Sequence, residues 1–321
     1  MEYPVISNWV TFSKAERGGY YVFDEAFDGK YHMSEETFAF FRKLDGETDP
    51  YTIQPSYDPN RIQALLEVLE EELLIRNSRI LYKSLGNILI TLWPVERSSM
   101  QKKVSVIADR LLSLLWLPIF TTGVLYMIYH SDDVRGSDNI LLGIFFGLIT
   151  ALVLHEMGHA AACLHYGGKV YEFGVGFDTF LPCAYVLLNM NDIKSRRKRA
   201  HVNAAGIEMN LLLTGVFLYL SCFLPHAGGL MFFAAIQNAL IALLNLLFVK
   251  GIDGMGVISE FLGCSDLFSY AKDVIFDRKK RRKLYRDGLN GVVTLSGCYI
   301  ALVLQIGLPL LIALNIAFLI I

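Results

Sequence analysis

The stretch NILLGIFFGLITALVLHEMGHAAA, residues 139–162, places two histidines and a glutamate in an apolar run long enough to cross a membrane. A helix needs about 20 such residues to span a hydrocarbon core of about 30 Å. An ionised side chain inside that helix costs about 2.5 to 3.5 kcal/mol on insertion scales. This cost weighs against the alternative that a short motif arose by chance and its histidines are merely packed. The stretch therefore predicts a membrane helix with a polar, functional cavity.

The rest of the composition also predicts a membrane protein. The chain has 321 residues, of which 54% are hydrophobic, and its mean hydropathy of +0.41 is too high for a soluble globular protein of this size. Four more long apolar runs, at 106–129, 201–224, 229–248 and 288–310, bring the expected number of transmembrane helices to five. The five cysteines contain no CxxC pair, so neither a disulfide framework nor a cysteine zinc site is expected. The first residues do not resemble a cleavable signal peptide.

Two basic clusters predict the orientation in the membrane. They are KSRRKR at 194–199 and DRKKRRK at 277–283. Short loops rich in Lys and Arg stay on the cytoplasmic side, and both clusters agree with a cytoplasmic N-terminus. We interpret them as orientation signals and contacts with anionic lipids, and we expect no nucleic-acid binding. The prediction is a multi-pass protein of the cell membrane with its N-terminal domain in the cytoplasm.

The first 80 residues mix polar and apolar positions as a soluble domain does. NWVTF, GYYVF and GKYHM predict three short strands, and SEETFAFFRKL and DPNRIQALLEVLEEELLI predict two capped helices. The expected fold is a small α+β, winged-helix-like domain over residues 1–80. Residues 81–103 are interpreted as a linker or interfacial segment, and residues 104–321 as a polytopic α-helical membrane domain.

The motif His155-Glu156-Met157-Gly158-His159 has the spacing of a helical metal site. Positions i and i+4 share a helix face, so His155 and His159 can bind one metal ion with Glu156 beside it. Zinc suits two imidazoles plus one carboxylate, with a fourth position for water whose pKa falls to about 7. Glu156 would take the proton of that water and pass it to the leaving amine.

A third zinc ligand is expected at Asp253, in NLLFVKGIDGMG after the fourth apolar run. The predicted topology brings the ends of the second and fourth membrane helices to one depth near the cytoplasmic face. Taken alone, Asp-Gly is more often an ordinary turn. The alternative ligands are His165, His201 and Glu208, although a histidine at a helix end is usually solvated.

These motifs resemble those of the site-2 protease family of intramembrane zinc metalloproteases. The resemblance rests on His155 to His159, on Ala205-Gly206-Ile207-Glu208-Met209-Asn210, and on Asn245 followed by Ile252-Asp253-Gly254. It implies one zinc ion per chain on His155, His159 and Asp253, with Glu156 as the catalytic base. The residues that it implies around the cavity or for positioning substrate are Asn210, Asn245, Gly206, Gly254 and Phe177.

The family also has a membrane-associated β-hairpin that holds extended substrate, and GGKVYEFGVGFDTFLPCAYVLLN (167–189) is expected to fill that role. Its turn is expected near Phe177-Asp178, and the alternative is a plain interfacial loop. The chain departs from the family pattern where prolines are replaced by Ile207, Phe248 and Lys250. Glu208 has no counterpart in the pattern; it is expected to pair with Lys250 or a basic loop residue, or to lie at the interface.

Residues 1–80 resemble the PqqD-type peptide-binding domain of enzymes that make ribosomally synthesised, modified peptides. The resemblance implies capture of a leader peptide at a sheet edge, which we place at the Tyr20–Phe23 or Phe27–His32 run. The alternative is a structural cap. The combined hypothesis is a protease that removes the leader, with a modifying enzyme or an exporter as a partner. The alternatives are cleavage of a membrane-anchored regulator such as an anti-sigma factor, and a peptide-binding accessory or immunity protein that does not cleave.

Overall fold

The structure, a computed structural model, divides the chain into two compact units. It describes residues 3–15, 18–26, 29–76, 80–84, 87–95, 99–130, 140–178, 181–224, 226–247, 252–263, 267–286, 295, 296 and 299. The first unit comprises Met1–Arg97 and Lys169–Asn189, and the second comprises Ser98–Gly168 and Met190–Ile321. The segment expected to form the hairpin therefore belongs to the same unit as the N-terminal residues, whereas the sequence assigned it to the membrane domain.

Two small sheets form the N-terminal part of the first unit. Strand β1 (Val5–Ile6) pairs with β5 (Ile75–Arg76), and the antiparallel meander consists of β2 (Val10–Lys14), β3 (Tyr20–Asp24) and β4 (Gly29–Met33). The three strands predicted from the sequence are these three. Strand β3 is central, so the free edges of the meander belong to β2 and β4. Two runs were expected to offer a sheet edge to a peptide. The run at Tyr20–Phe23 cannot be such an edge, because β3 is paired on both sides.

Both helices predicted in this domain are present. Helix α1 (Glu35–Phe41) begins after Ser34, whose Oγ accepts the backbone N–H of Thr37. A short helix, α2 (Pro50–Ile53), was not predicted. Helix α3 (Pro59–Glu71) begins after Asp58, which caps it. Their apolar faces meet the meander in one buried core, formed by Val22, Met33, Phe38, Phe40, Phe41, Leu44, Tyr57, Ile62, Leu69, Leu74 and Ile75.

A four-stranded antiparallel sheet completes the first unit. Its strands, in spatial order, are β6 (Ile80–Ser84), β7 (Asn87–Pro94), β8 (Lys169–Asp178) and β9 (Leu181–Asn189). Strands β8 and β9 form the hairpin expected from the sequence. The segment interpreted as a linker supplies β7 and most of β6, because its β-branched and aromatic residues pair with the otherwise free edge of β8.

The second unit is helical. Among the described residues, four of its helices have the length and composition to cross a membrane: α4 (Ser99–Tyr129), α5 (Ile140–His165), α6 (Arg196–Phe223) and α7 (Gly228–Asn245). They correspond to the first four predicted spans, whereas the fifth, 288–310, lies outside the described residues apart from three isolated positions. Three shorter helices, α8 (Asp253–Leu262), α9 (Leu267–Phe276) and α10 (Arg278–Arg286), were not predicted. The chain is a multi-pass membrane protein.

Helix α6 lies at the centre of this unit and packs against α4, α5, α7 and α8. Its contact with α5 is close at Gly158, where a Cβ atom would lie 2.6 Å from the carbonyl oxygen of Ala205. Small residues at a crossing let two backbones touch. Gly158 and Ala205 directly precede His159 and Gly206 in the chain, so this crossing fixes the distance between the predicted zinc-binding histidines and the predicted cavity residues of α6.

Candidate metal centre

Three predicted ligands, carried by two helices, meet at one place. His155 and His159 lie on α5 and are buried, and Asp253 is the first residue of α8. Asp253 Oδ2 lies 2.8 Å from His155 Nε2 and 3.2 Å from His159 Nε2. The two Nε2 atoms are 3.1 Å apart. Within the described part of the chain, these three side chains form a group that could hold a metal ion, because their donor atoms all lie within 4.8 Å of one another.

The geometry of this triangle fits zinc. Tetrahedral zinc with bonds of about 2.0 to 2.1 Å separates its donor atoms by roughly 3.3 Å. The three separations, 2.8, 3.1 and 3.2 Å, are close to that value, and two imidazoles with one carboxylate are a common ligand set of catalytic zinc. Three protein ligands leave a fourth position for water or substrate. The donor set therefore fits a catalytic zinc ion rather than a closed structural one.

The remaining ring nitrogens are held by α6. His159 Nδ1 donates to the carbonyl oxygen of Val202 at 2.7 Å, which directs the lone pair of Nε2 towards Asp253. His155 Nδ1 lies 3.1 Å from Asn210 Nδ2, and the buried Oδ1 of Asn210 has no hydrogen-bond partner among the described residues. Rotation of this amide by half a turn would let Oδ1 accept the Nδ1–H of His155. That arrangement satisfies both groups and directs the lone pair of His155 Nε2 towards the metal.

Two glycines predicted at the site are places of close approach. A Cβ on Gly206 would lie 2.4 Å from His159 Nε2 and 2.6 Å from His155 Nε2, so α6 presents bare backbone to the metal position. A Cβ on Gly254 would lie 2.8 Å from the backbone oxygen of Asn245, at the end of α7. This contact holds the start of α8, and hence Asp253, against α7.

The structure places the other predicted residues differently. Glu156 follows His155 on α5 and is partly buried. The amide of Asn245 donates to the carbonyl oxygen of Ile241 on its own helix, so only its backbone takes part in the contact with Gly254. Phe177 pairs with Pro182 near the end of the hairpin in the first unit.

A second polar cluster lies on another face of α6. His165 Nδ1 contacts Asp109 Oδ2, and His201 Nε2 lies 3.3 Å from Asp109 Oδ1. Glu208 Oε2 lies 3.8 Å from His201 Nε2, so the described partner of Glu208 is a histidine of its own helix rather than a basic loop residue. Lys250, its other expected partner, lies outside the described residues. Asp109 is not among the residues predicted from the sequence, although a carboxylate within a spanning run is itself a signal of a polar site.

The motif, the donor geometry and the apolar helices define a zinc-dependent metallopeptidase of the membrane. Residues 143–228 match the model of Peptidase family M50, which is the site-2 protease family. The match includes both histidines and the predicted cavity residues Gly206 and Asn210. The chain therefore contains a Peptidase family M50 domain, and its metal cofactor is zinc. Searches of curated proteins and of solved structures found no match.

Proposed function

We propose that this metallopeptidase hydrolyses a peptide bond in a membrane-associated peptide, with one zinc ion on His155, His159 and Asp253. The observation that carries the proposal is the meeting of three donor atoms, 2.8 to 3.2 Å apart, within an M50 domain. These side chains are costly inside a membrane unless they serve a site. A zinc ion on these three residues also explains why residue 206 is a glycine, since a side chain there would clash with both histidine rings.

The chemistry assigned to the chain follows from the arrangement of its side chains. Zinc bound here would act as a Lewis acid that polarises the scissile carbonyl group and acidifies a water molecule. Glu156 adjoins a ligand on α5, and we assign to its carboxylate the proton that the attacking water loses. The same carboxyl group then gives the proton to the leaving amine. Val202 and Asn210 hold the histidine rings so that the Nε2 atoms face the metal.

We further propose that residues 1–80 bind the leader of a ribosomally synthesised, modified peptide on the cytoplasmic side. The support is the meander, whose edge strand β4 (Gly29–Met33) overlaps one of the runs expected to take an added strand. The cytoplasmic orientation is supported by the basic clusters at 194–199 and 277–283. A peptide-modifying enzyme or an exporter would then act on the same substrate.

The test combines metal content with cleavage. Wild-type protein in detergent should contain about one zinc per chain, and His159→Ala and Asp253→Ala should each lose it. His226→Ala replaces a histidine outside the ligand group and should keep the zinc. Glu156→Gln should keep the zinc but abolish cleavage of precursor peptides encoded beside the gene.

Each outcome bears on a separate part of the proposal. Wild-type zinc content in Asp253→Ala would contradict Asp253 as the third ligand. Wild-type cleavage by Glu156→Gln would contradict the assigned base. Cleavage of a membrane-anchored regulator, with no cleavage of any precursor peptide, would favour the regulatory alternative over leader removal.

A further inference from the structure

The hairpin is built into the N-terminal fold. Strand β8 pairs along one side with β9 and along the other with β7, which comes from the N-terminal part of the chain. One row of the sheet, for example, joins Ile90, Val175 and Ala184. The backbone of the hairpin is thus continuous with a sheet that the N-terminal part of the chain supplies.

A buried ion pair connects this sheet to the core of the N-terminal fold. Arg76, at the end of β5, donates from Nη2 to Glu172 Oε2 on β8 at 2.6 Å, and the Glu172 side chain is fully buried. Glu172 Oε1 accepts hydrogen bonds from Thr91 Oγ1 at 3.1 Å and from Tyr185 OH at 2.9 Å. Burial and the charge of Glu172 raise the pKa of Tyr185, so its hydroxyl group remains a donor. One carboxylate therefore connects β5, β7, β8 and β9.

An irregularity in β8 directs two neighbouring side chains into the N-terminal fold. A regular strand sends Tyr171 and Glu172 to opposite faces, but the register against β9 shifts between Val170 and Glu172, and both side chains are buried. Tyr171 packs edge-on against Trp9, which is fully buried, and the guanidinium of Arg76 lies 4.3 Å from the centre of the Trp9 ring. The aromatic contacts and the ion pair therefore form one connected group.

A second anchor holds the base of the hairpin. Glu25, after β3, accepts hydrogen bonds from Lys169 Nζ at 2.8 Å and Tyr171 OH at 2.6 Å, and its carbonyl oxygen accepts one from Asn189 Nδ2. Lys169 and Asn189 are opposite each other at the open end of the hairpin, so Glu25 contacts both strands. Burial raises the pKa of Glu25, but the hydrogen bonds and charge of its partners outweigh burial and leave that pKa below its usual value.

We propose that the N-terminal fold positions the β8–β9 hairpin, with Arg76 and Glu172 as positioning residues for peptide presentation. The proposal rests on the proposed function, because the hairpin's part in holding substrate comes from the family resemblance. A domain joined by a flexible linker raises only the local concentration of a captured peptide. A domain that shares a sheet with the hairpin also sets its orientation, and small misplacements of a reacting group cost large factors in rate.

The first test measures the hairpin without any substrate. Hydrogen exchange of the full-length protein in detergent should show faster exchange at residues 169–189 in Arg76→Met and Glu172→Gln than in wild type. The meander β2–β4 should keep its protection, because its own core lies around α1 and α3. Arg76→Lys keeps the positive charge and should restore much of the hairpin protection.

A matched control exists in the same domain. Arg61 lies 3.8 Å from Glu36 and 4.1 Å from the centre of the Tyr57 ring, so it has the same kinds of partner as Arg76, but its ion pair is more than half exposed. Arg61→Met should leave hairpin exchange unchanged. Wild-type exchange in Arg76→Met would overturn the proposal. So would an equal loss of protection over the meander, since Arg76 would then stabilise the whole fold.

The second test measures presentation. Fluorescein-labelled casein is an unfolded substrate that carries no leader, so it reports on the hairpin without a contribution from leader capture. Arg76→Met and Glu172→Gln should reduce kcat by about tenfold to a hundredfold with little change in KM. Zinc content should not change, and Arg76→Lys should recover part of the rate. Altered hairpin exchange with wild-type kcat would overturn the role in presentation. No cleavage by wild-type protein would count against the proposed function, while hydrogen exchange would still decide the coupling.

Discussion

Replacing Gly206 by alanine tests the metal centre with a single methyl group. The added Cβ would lie 2.4 Å from His159 Nε2 and 2.6 Å from His155 Nε2. A metal shared by these nitrogens must lie about 2.0 to 2.1 Å from each of them. The methyl group would therefore stand close to the position of the zinc ion and against both of its imidazole ligands. Alanine also favours helix formation over glycine by about 1 kcal/mol, so helix α6 itself should not be weakened.

The size of the effect follows from these distances. Ordinary van der Waals contact begins at 3.4 Å, so the rings must move by 1.0 Å (3.4 − 2.4) and 0.8 Å (3.4 − 2.6), or α6 must shift. Zinc sites tolerate deviations of about 0.2 Å in bond length. Loss of a supporting contact alone weakens metal affinity about 10- to 100-fold. Displacement of two ligands should cost at least about 100-fold, or about 2.8 kcal/mol.

The assay is zinc content after purification in detergent, followed by competition with a chromophoric chelator to measure affinity. Gly215→Ala is the matched control on the same helix, because its Cβ would lie 2.4 Å from the carbonyl oxygen of Ile119 on α4. This variant should lower thermal stability and keep its zinc. Wild-type zinc affinity in Gly206→Ala would refute the placement of the metal against α6.

Three further predictions concern other parts of the chain. Asn210→Leu should weaken zinc binding about 10- to 100-fold in the chelator assay. Asn238 is a buried asparagine on α7 away from the ligands, so Asn238→Leu should not weaken zinc binding. Equal effects of the two substitutions would count against the contact between Asn210 and His155. Because the folded pKa of Glu25 is lowered, its stabilisation is complete above its ordinary value of 4.5 and is lost as pH falls through the folded value. Hydrogen exchange in the hairpin, corrected for its intrinsic pH dependence, should therefore accelerate below about pH 4.5. An equal acceleration in Glu25→Gln would show that protonation of Glu25 is not the cause. Asp109→Asn should lower the free energy of unfolding by about 3 kcal/mol without loss of zinc, because the substitution removes a buried charge that faces two histidines. An unchanged Tm in this variant would contradict the prediction.

The two histidines of the metal centre were predictable because their spacing is local in sequence. The spacing of His155 and His159 places them on one helix face. Asp253 is 94 residues from His159 and was expected as a ligand because the predicted topology and the family motif bring it to the same depth. The supporting contacts were not predictable in the same way. The carbonyl oxygen of Val202 and the bare backbone at Gly206 act through main-chain atoms, whose positions depend on how α5 and α6 cross.

The four-stranded sheet could not be predicted from the sequence for a different reason. The segment that contains β7 and most of β6 is interpreted from the sequence as a linker or interfacial segment, because it lies between a predicted small domain and an apolar helix. Strand β7 pairs with β8, which begins at Lys169, so this pairing joins segments far apart in the chain. Glu172 was not singled out by the sequence of the hairpin. Its burial follows from the shift of register beside Tyr171 and from Arg76, neither of which can be inferred from the hairpin segment alone.

Helix α6 explains why Glu208 is close in sequence to two residues that contact the proposed zinc ligands but does not contact those ligands itself. Gly206 and Asn210 are four residues apart and face α5, where they meet the two histidines of the motif. Glu208 lies midway between them, about half a turn around the helix, and it faces His201, which contacts the carboxylate of Asp109 on α4. One face of α6 therefore shapes the metal centre while another carries the polar contacts to α4. A substitution in the Asp109 cluster should therefore change how α6 packs against α4, and any effect on zinc binding should be indirect.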